Sequence, residues 1–153
     1  FGAAIAIITK IVQDQLAEKR ENRKLISLIR GELSNVRRHC LVVRTDVIGI
    51  DPRQILSERL VDWQKRKLGD LSFINNNIAK LGFVDEETVA LFLQLALVLR
   101  NNDLEIDRIV DLLRGPQNGE RYFAEALRRM ESRMSLCIDM VNTIMDRRVL
   151  SVR

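Results

Sequence analysis

Apolar residues recur at Ile26, Ile29, Leu33, Val36, Cys40, Val43 and Val47, alternating steps of three and four without a slip. That period keeps one narrow stripe on a helix and predicts a seam against partner helices. Followed backwards, the register passes polar Gln15, Lys19 and Asn22 before it meets Val12, Ile8 and Ile5. The seam is therefore interrupted, and its two halves face different surroundings. The alternation returns late in the chain, in Phe123, Leu127, Met130, Met134, Cys137, Val141 and Ile144. Two matched stripes imply a shared core.

The breaks between apolar stretches predict four helices. The first runs from Gly2 to Ile48 and stops at Gly49. Asp51 as N-cap, Pro52 at the first helical position and Gln54 three residues after the cap then open a second helix. Leu56, Leu60, Trp63, Leu71, Ile74, Ile78 and Leu81 share one of its faces, with Lys67 at a seam position. Gly69 and the Asn75, Asn76 and Asn77 run lower its helix propensity, so a kink is expected near Gly69. Leu81, Gly82 and Phe83 read as a glycine C-cap in the left-handed conformation. Asp85 caps a third helix, with Glu86 and Glu87 favourably placed against the positive end of its dipole. That helix carries the apolar run Val89 to Leu99, broken only by Gln94, and reads as a buried core helix too short to span a bilayer. Gly115 and Pro116 end it, and a fourth helix follows Asn118 and Gly119. Short connections favour antiparallel neighbours. The expected fold is all-α: an up-down-up-down four-helix bundle over residues 21–153, with a helical arm of residues 1–20 overhanging it.

Composition fits this picture, because 153 residues that are 46% hydrophobic and 30% charged, with only seven Gly and two Pro, suit long helices better than a turn-rich β fold. The net charge of +4 is unevenly placed. Residues 1–50 carry nine basic and five acidic groups, whereas residues 85–115 carry three and seven. The acidic segment reads as pairing with basic neighbours inside the bundle, or as a docking surface for a basic partner. Cys40 and Cys137 both occupy stripe positions and read first as small core residues, with a disulfide as the alternative.

The arm is the least ordinary stretch. Phe1 to Ile8 is wholly apolar or small, and Ile11 and Val12 extend it past Thr9 and Lys10. Lys19, Arg20, Arg23 and Lys24 follow at once, a cluster of the kind that stays beside a membrane span and is drawn to anionic headgroups. The arm reads as the last turns of a membrane anchor, or as an oligomer seam built on Ile5, Ile8 and Val12. Either reading predicts self-association. In an up-down-up-down bundle Arg147, Arg148 and Arg153 return to the end where helix one enters, forming with the first cluster one basic collar. The collar is either a contact for anionic lipid or an ordinary solvated helix end.

Catalytic and metal chemistry has little to build on. His39 is the single histidine, so no E-x-x-H pair exists for a di-iron bundle and no zinc spacing occurs. Met130, Met134, Cys137 and Met140 could be drawn as a soft-metal set, but three of the four are seam residues, and core packing is the expected role. No phosphate loop or nucleophile context is present, no enzyme activity and no cofactor are expected, and few aromatic residues are left over for stacking nucleic acid.

An apolar helix that runs through a basic patch into Arg23–Asn35, RKLISLIRGELSN, resembles uncharacterised bacterial single-span membrane proteins over about 40 residues. The resemblance implies a helical domain anchored at the cytoplasmic face of a bacterial inner membrane, without an assigned site. If the arm is an oligomer seam instead, the place is the cytoplasm. The chain is also similar in plan to the four-helix sensor domains of bacterial chemoreceptors, although the positive flank here favours the cytosolic side. The function expected is a non-enzymatic helical interaction module, membrane-tethered and self-associating. The alternative is a small-ligand sensor with a pocket between helices and Lys67 or Gln94 as contacts.

Overall fold

The computed structural model describes residues 2–52, 60–114 and 119–150, and these are helical with no strand among them. The elements are α1 (Gly2–Ile48), α2 (Leu60–Lys65), α3 (Ser72–Asn77), α4 (Glu86–Arg114) and α5 (Glu120–Met145), with 3-10 turns at Ile78–Lys80 and Arg148–Leu150. The capping residue Gln54, Leu56, the Gly115 and Pro116 stop signal, Asn118 ahead of the last helix, and Arg153 lie outside the described residues.

Both repeating stripes do what their spacing requires. On α1, Ile29, Leu33, Val36, Cys40, Val43 and Val47 are buried, and on α5 so are Phe123, Leu127, Met130, Met134, Cys137, Val141 and Ile144. The two helices pack on each other along much of their length. Arg30 Nη1 donates to the carbonyl oxygens of Met145 (3.3 Å) and Leu150 (3.0 Å), so the start of the α1 core stripe lies beside the end of α5 and the two run antiparallel. On the other side of α5, Arg147 pairs with Glu87 and Arg129 with Glu105, which makes α4 antiparallel to α5 as well.

The second helix is not one rod. In its described part α2 ends at Lys65, residues 66–71 are irregular, α3 lasts one and a half turns and a 3-10 turn follows. Gly69 sits at φ 71°, in the left-handed region that an L side chain enters only at a cost. The N–H groups released by the break find carboxylates on the long helices. Leu68 and Gly69 donate to Asp103 of α4 at 2.8 and 3.0 Å, and Phe73 and Ile74 donate to Glu32 of α1 at 2.9 Å each. The break therefore costs little hydrogen bonding, and Trp63, Leu71, Ile74 and Leu81 still reach the core. Lys67 leaves the seam and pairs with Asp107 at 2.6 Å.

Two further expectations change in detail. Gly82 is not left-handed; the turn after the 3-10 segment is closed by Val84 N–H donating to the Leu81 carbonyl at 2.8 Å, a three-residue return that needs no positive φ. The apolar run in α4 is buried on one side only. Phe92, Leu95 and Leu99 are inside while Leu93 and Leu97 are more than half exposed, because the broken second leg does not cover that face. The Asp85 cap forms as predicted: its carboxylate accepts from the Thr88 N–H at 2.8 Å and from the Thr88 hydroxyl. These bonds hold the Asp85 carboxyl below its ordinary value.

Candidate functional site: the exposed arm of α1

The start of α1 continues as unbroken helix, and its described side chains are exposed from Ile5 through Glu21. Ile5, Ile7, Ile8, Ile11, Val12 and Leu16 are 47–61% exposed. At 100° per residue Ile5, Ile8, Ile11, Val12 and Leu16 fall within one face, which polar Gln15, Lys19 and Asn22 separate from the stripe that begins at Ile26 and Ile29. Beyond the end of α5 the helix is bare on every side from Ile5 to Glu21. Among the described residues no helix is long and apolar enough to cross a membrane.

The expected basic collar divides into two groups. Lys19, Arg20, Arg23 and Lys24 are exposed along the arm. Arg147 lies near the end of α5, but its Nη1 is engaged by Glu87 Oε2 at 2.5 Å and lies 3.9 Å from Asp85 Oδ1. The pairing holds the Glu87 carboxyl below its ordinary value. Arg148 is exposed on the following 3-10 turn. Because the end of α5 lies level with Arg30, Arg20 is ten residues, or about 15 Å, further out along α1. The fold therefore places Arg147 against the N-terminus of α4.

The polar centre of the molecule is one that sequence reasoning missed. Glu105, 1% exposed on α4, accepts from Arg129 Nη2 at 2.7 Å, from Arg133 Nη1 at 3.2 Å and from the Tyr122 hydroxyl at 3.1 Å. Burial pushes its carboxyl up, and the bonds from Arg129, Tyr122 and Arg133 outweigh that and hold it below its ordinary value. Nothing in a lone Glu between Leu104 and Ile106 marks it as buried; the only signal was the acid excess of this segment against the basic residues of the last helix. The pairing of Asp107 with Lys67 and of Glu87 with Arg147 follows the same pattern.

A cavity of about 660 Å³ lies where the broken leg meets α4, lined by Leu93, Ala96, Leu97, Arg100, Asp103 and Asn75 among others. Burial pushes the Asp103 carboxyl up even though Leu68 and Gly69 donate to it. Neither Lys67 nor Gln94, the polar contacts expected of a pocket, lines it. Met130, Met134, Cys137 and Met140 are all buried in the core. Among the described residues no three His, Cys, Asp or Glu side chains converge as metal ligands. No family model, curated protein or solved structure matches the chain.

Proposed function

We propose that this chain is a non-enzymatic helical interaction module, held at an anionic membrane surface and self-associating through the arm of α1. Its course is that of an up-down-up-down four-helix bundle whose second rod is broken. The observation that carries the reading is the bare apolar face of Ile5, Ile8, Ile11, Val12 and Leu16, followed over the next two turns or so by Lys19, Arg20, Arg23 and Lys24. Apolar side chains gain by leaving water for the headgroup boundary, and a polybasic flank adds attraction to anionic lipid. The cytoplasmic face of a bacterial inner membrane supplies both.

Flotation of the full chain with vesicles tests this. Binding to phosphatidylglycerol-containing vesicles that weakens with salt, and little binding to phosphatidylcholine vesicles, is the expected result. Replacing Ile5, Ile8 and Val12 with Glu together abolishes both flotation and self-association, and leaves the melting temperature unchanged because these side chains support no core. A chain that stays monomeric and unbound to either vesicle overturns the reading.

A second reading, a small-ligand sensor, has the cavity beside Asp103 in its favour, since its volume lies in the range of small-molecule sites. A thermal-shift response to one class of metabolite, lost in Leu97→Trp, would support it.

A further inference from the structure

Cys40 and Cys137 are the two cysteines of this chain, and the surface reading above makes no use of them. Both thiols are free and fully buried. The antiparallel register of α1 and α5 brings them level. Arg30 meets the Met145 carbonyl, and ten residues onward along α1 and eight back along α5 lead to Cys40 and Cys137. Each thiol faces the other from its stripe across the packed α1–α5 seam, and each is the other's first electrostatic neighbour. Their stripe neighbours Val36, Val43, Met134 and Val141 are buried around them. Two core cysteines need not face each other to fill space; here residues 97 positions apart in the sequence come level on facing stripes.

The geometry points to a redox latch: hydrogen peroxide, or another small hydroperoxide, converts Cys40 and Cys137 into a disulfide that joins α1 to α5. Thiols that face each other across a packed seam need only a small approach to reach the S–S bond length of about 2 Å. Both thiols are fully buried, so either sulfur can attack; the step is written with Cys137 attacking first.

The Cys137 thiolate attacks one peroxide oxygen and the O–O bond breaks. The departing hydroxide takes up the proton that Cys137 lost, leaving a sulfenic acid and one water. The Cys40 sulfur then attacks the Cys137 sulfur and the S–O bond breaks. Hydroxide leaves with the Cys40 proton as a second water. Two thiols give up two electrons and two protons, and the peroxide is reduced to two waters. Because the pair is sealed by packing, the oxidant reaches it through local opening of the α1–α5 seam. The product fixes to α5 the helix that carries the arm, and closes a long loop in the unfolded chain.

The test uses the full, reduced chain exposed to hydrogen peroxide and quenched with catalase, then examined by intact mass, alkylation after unfolding, and thermal melting. The expected result is a loss of about 2 Da, no alkylatable thiol, and a melting temperature raised by about 10 °C that returns on reduction with dithiothreitol. Cys40→Ala and Cys137→Ala, each first shown to melt cooperatively, lose neither the 2 Da nor gain the shift. In Cys40→Ala a sulfenic acid is trapped by dimedone at Cys137, the intermediate of the first step. The latch is overturned if both thiols stay alkylatable at a peroxide dose that oxidises the urea-unfolded chain. It is equally overturned by a gain of about 64 Da from two sulfinic acids, or by disulfides formed only between copies.

Discussion

Glu105 concentrates more polar bonding than any other described side chain of the core, and its neighbours decide what its loss would do. Arg129 and Arg133 are 40% and 26% exposed as side chains, so they can return to water when the carboxylate is removed. Glu105→Gln is therefore expected to cost about 2 kcal/mol, below the usual range for breaking a fully buried pair, and urea unfolding at pH 7 measures it. The sign with pH follows from the lowered carboxyl. The stabilisation is fully present above the ordinary value of 4.5 and is lost as pH falls through the lower native value. The urea midpoint of the native chain should thus fall more steeply between pH 5 and 3 (about two units) than that of Glu105→Gln. Asn102, one turn before Ile106, is fully buried with both amide atoms unpartnered. Asn102→Leu removes two unsatisfied groups at similar volume, and thermal melting should show a gain of about 1–2 kcal/mol.

Two glycines separate conformational demand from space at the level of the element. Gly69 has open room for a Cβ but a φ of 71°, whereas Gly82 has open room and no such φ. Gly69→Ala should destabilise by about 1 kcal/mol through left-handed strain alone. Gly82→Ala should be neutral or slightly stabilising, because it restricts the unfolded chain at no native cost. Urea midpoints of the two variants, measured side by side, check the pair. The short α3 depends on a carboxylate lent by another helix. Glu32→Ala removes the acceptor for both Phe73 and Ile74 N–H groups, and a loss of about 1–2 kcal/mol is expected, with amide exchange accelerated at those two positions.

For the whole molecule, the arm's charge and its apolar face make separable contributions to surface binding. Neutralising Lys19, Arg20, Arg23 or Lys24 singly to Gln should weaken binding to anionic vesicles about fivefold each, as about 1 kcal/mol per residue near the surface implies, and flatten the salt dependence. Flotation titrations at two ionic strengths measure it. The α1 and α5 stripes were legible in the sequence because a period alternating three and four residues is a local property that any packed helix must obey. The Asp85 cap was legible for the same reason. The second rod was read as one helix kinked near Gly69, and the break there is wider than a kink, because Leu71, Ile74 and Leu81 keep a helical spacing even though Gly69 and Asn75–Asn77 weaken the backbone between them. Whether such a segment stays one helix depends on acceptors elsewhere, and Asp103 and Glu32 supply them from α4 and α1. Charge counting likewise cannot see that Glu87 and Asp85 take up Arg147. The sequence by itself determined an all-helical chain, the faces of its long helices and a first helix bare at its start, since these follow from spacing and propensity along one strand of backbone. Only the tertiary structure decided where the second leg breaks, which carboxylate is buried and that Cys40 lies across the seam from Cys137, because each depends on residues far apart in the chain and on how the helices register against one another.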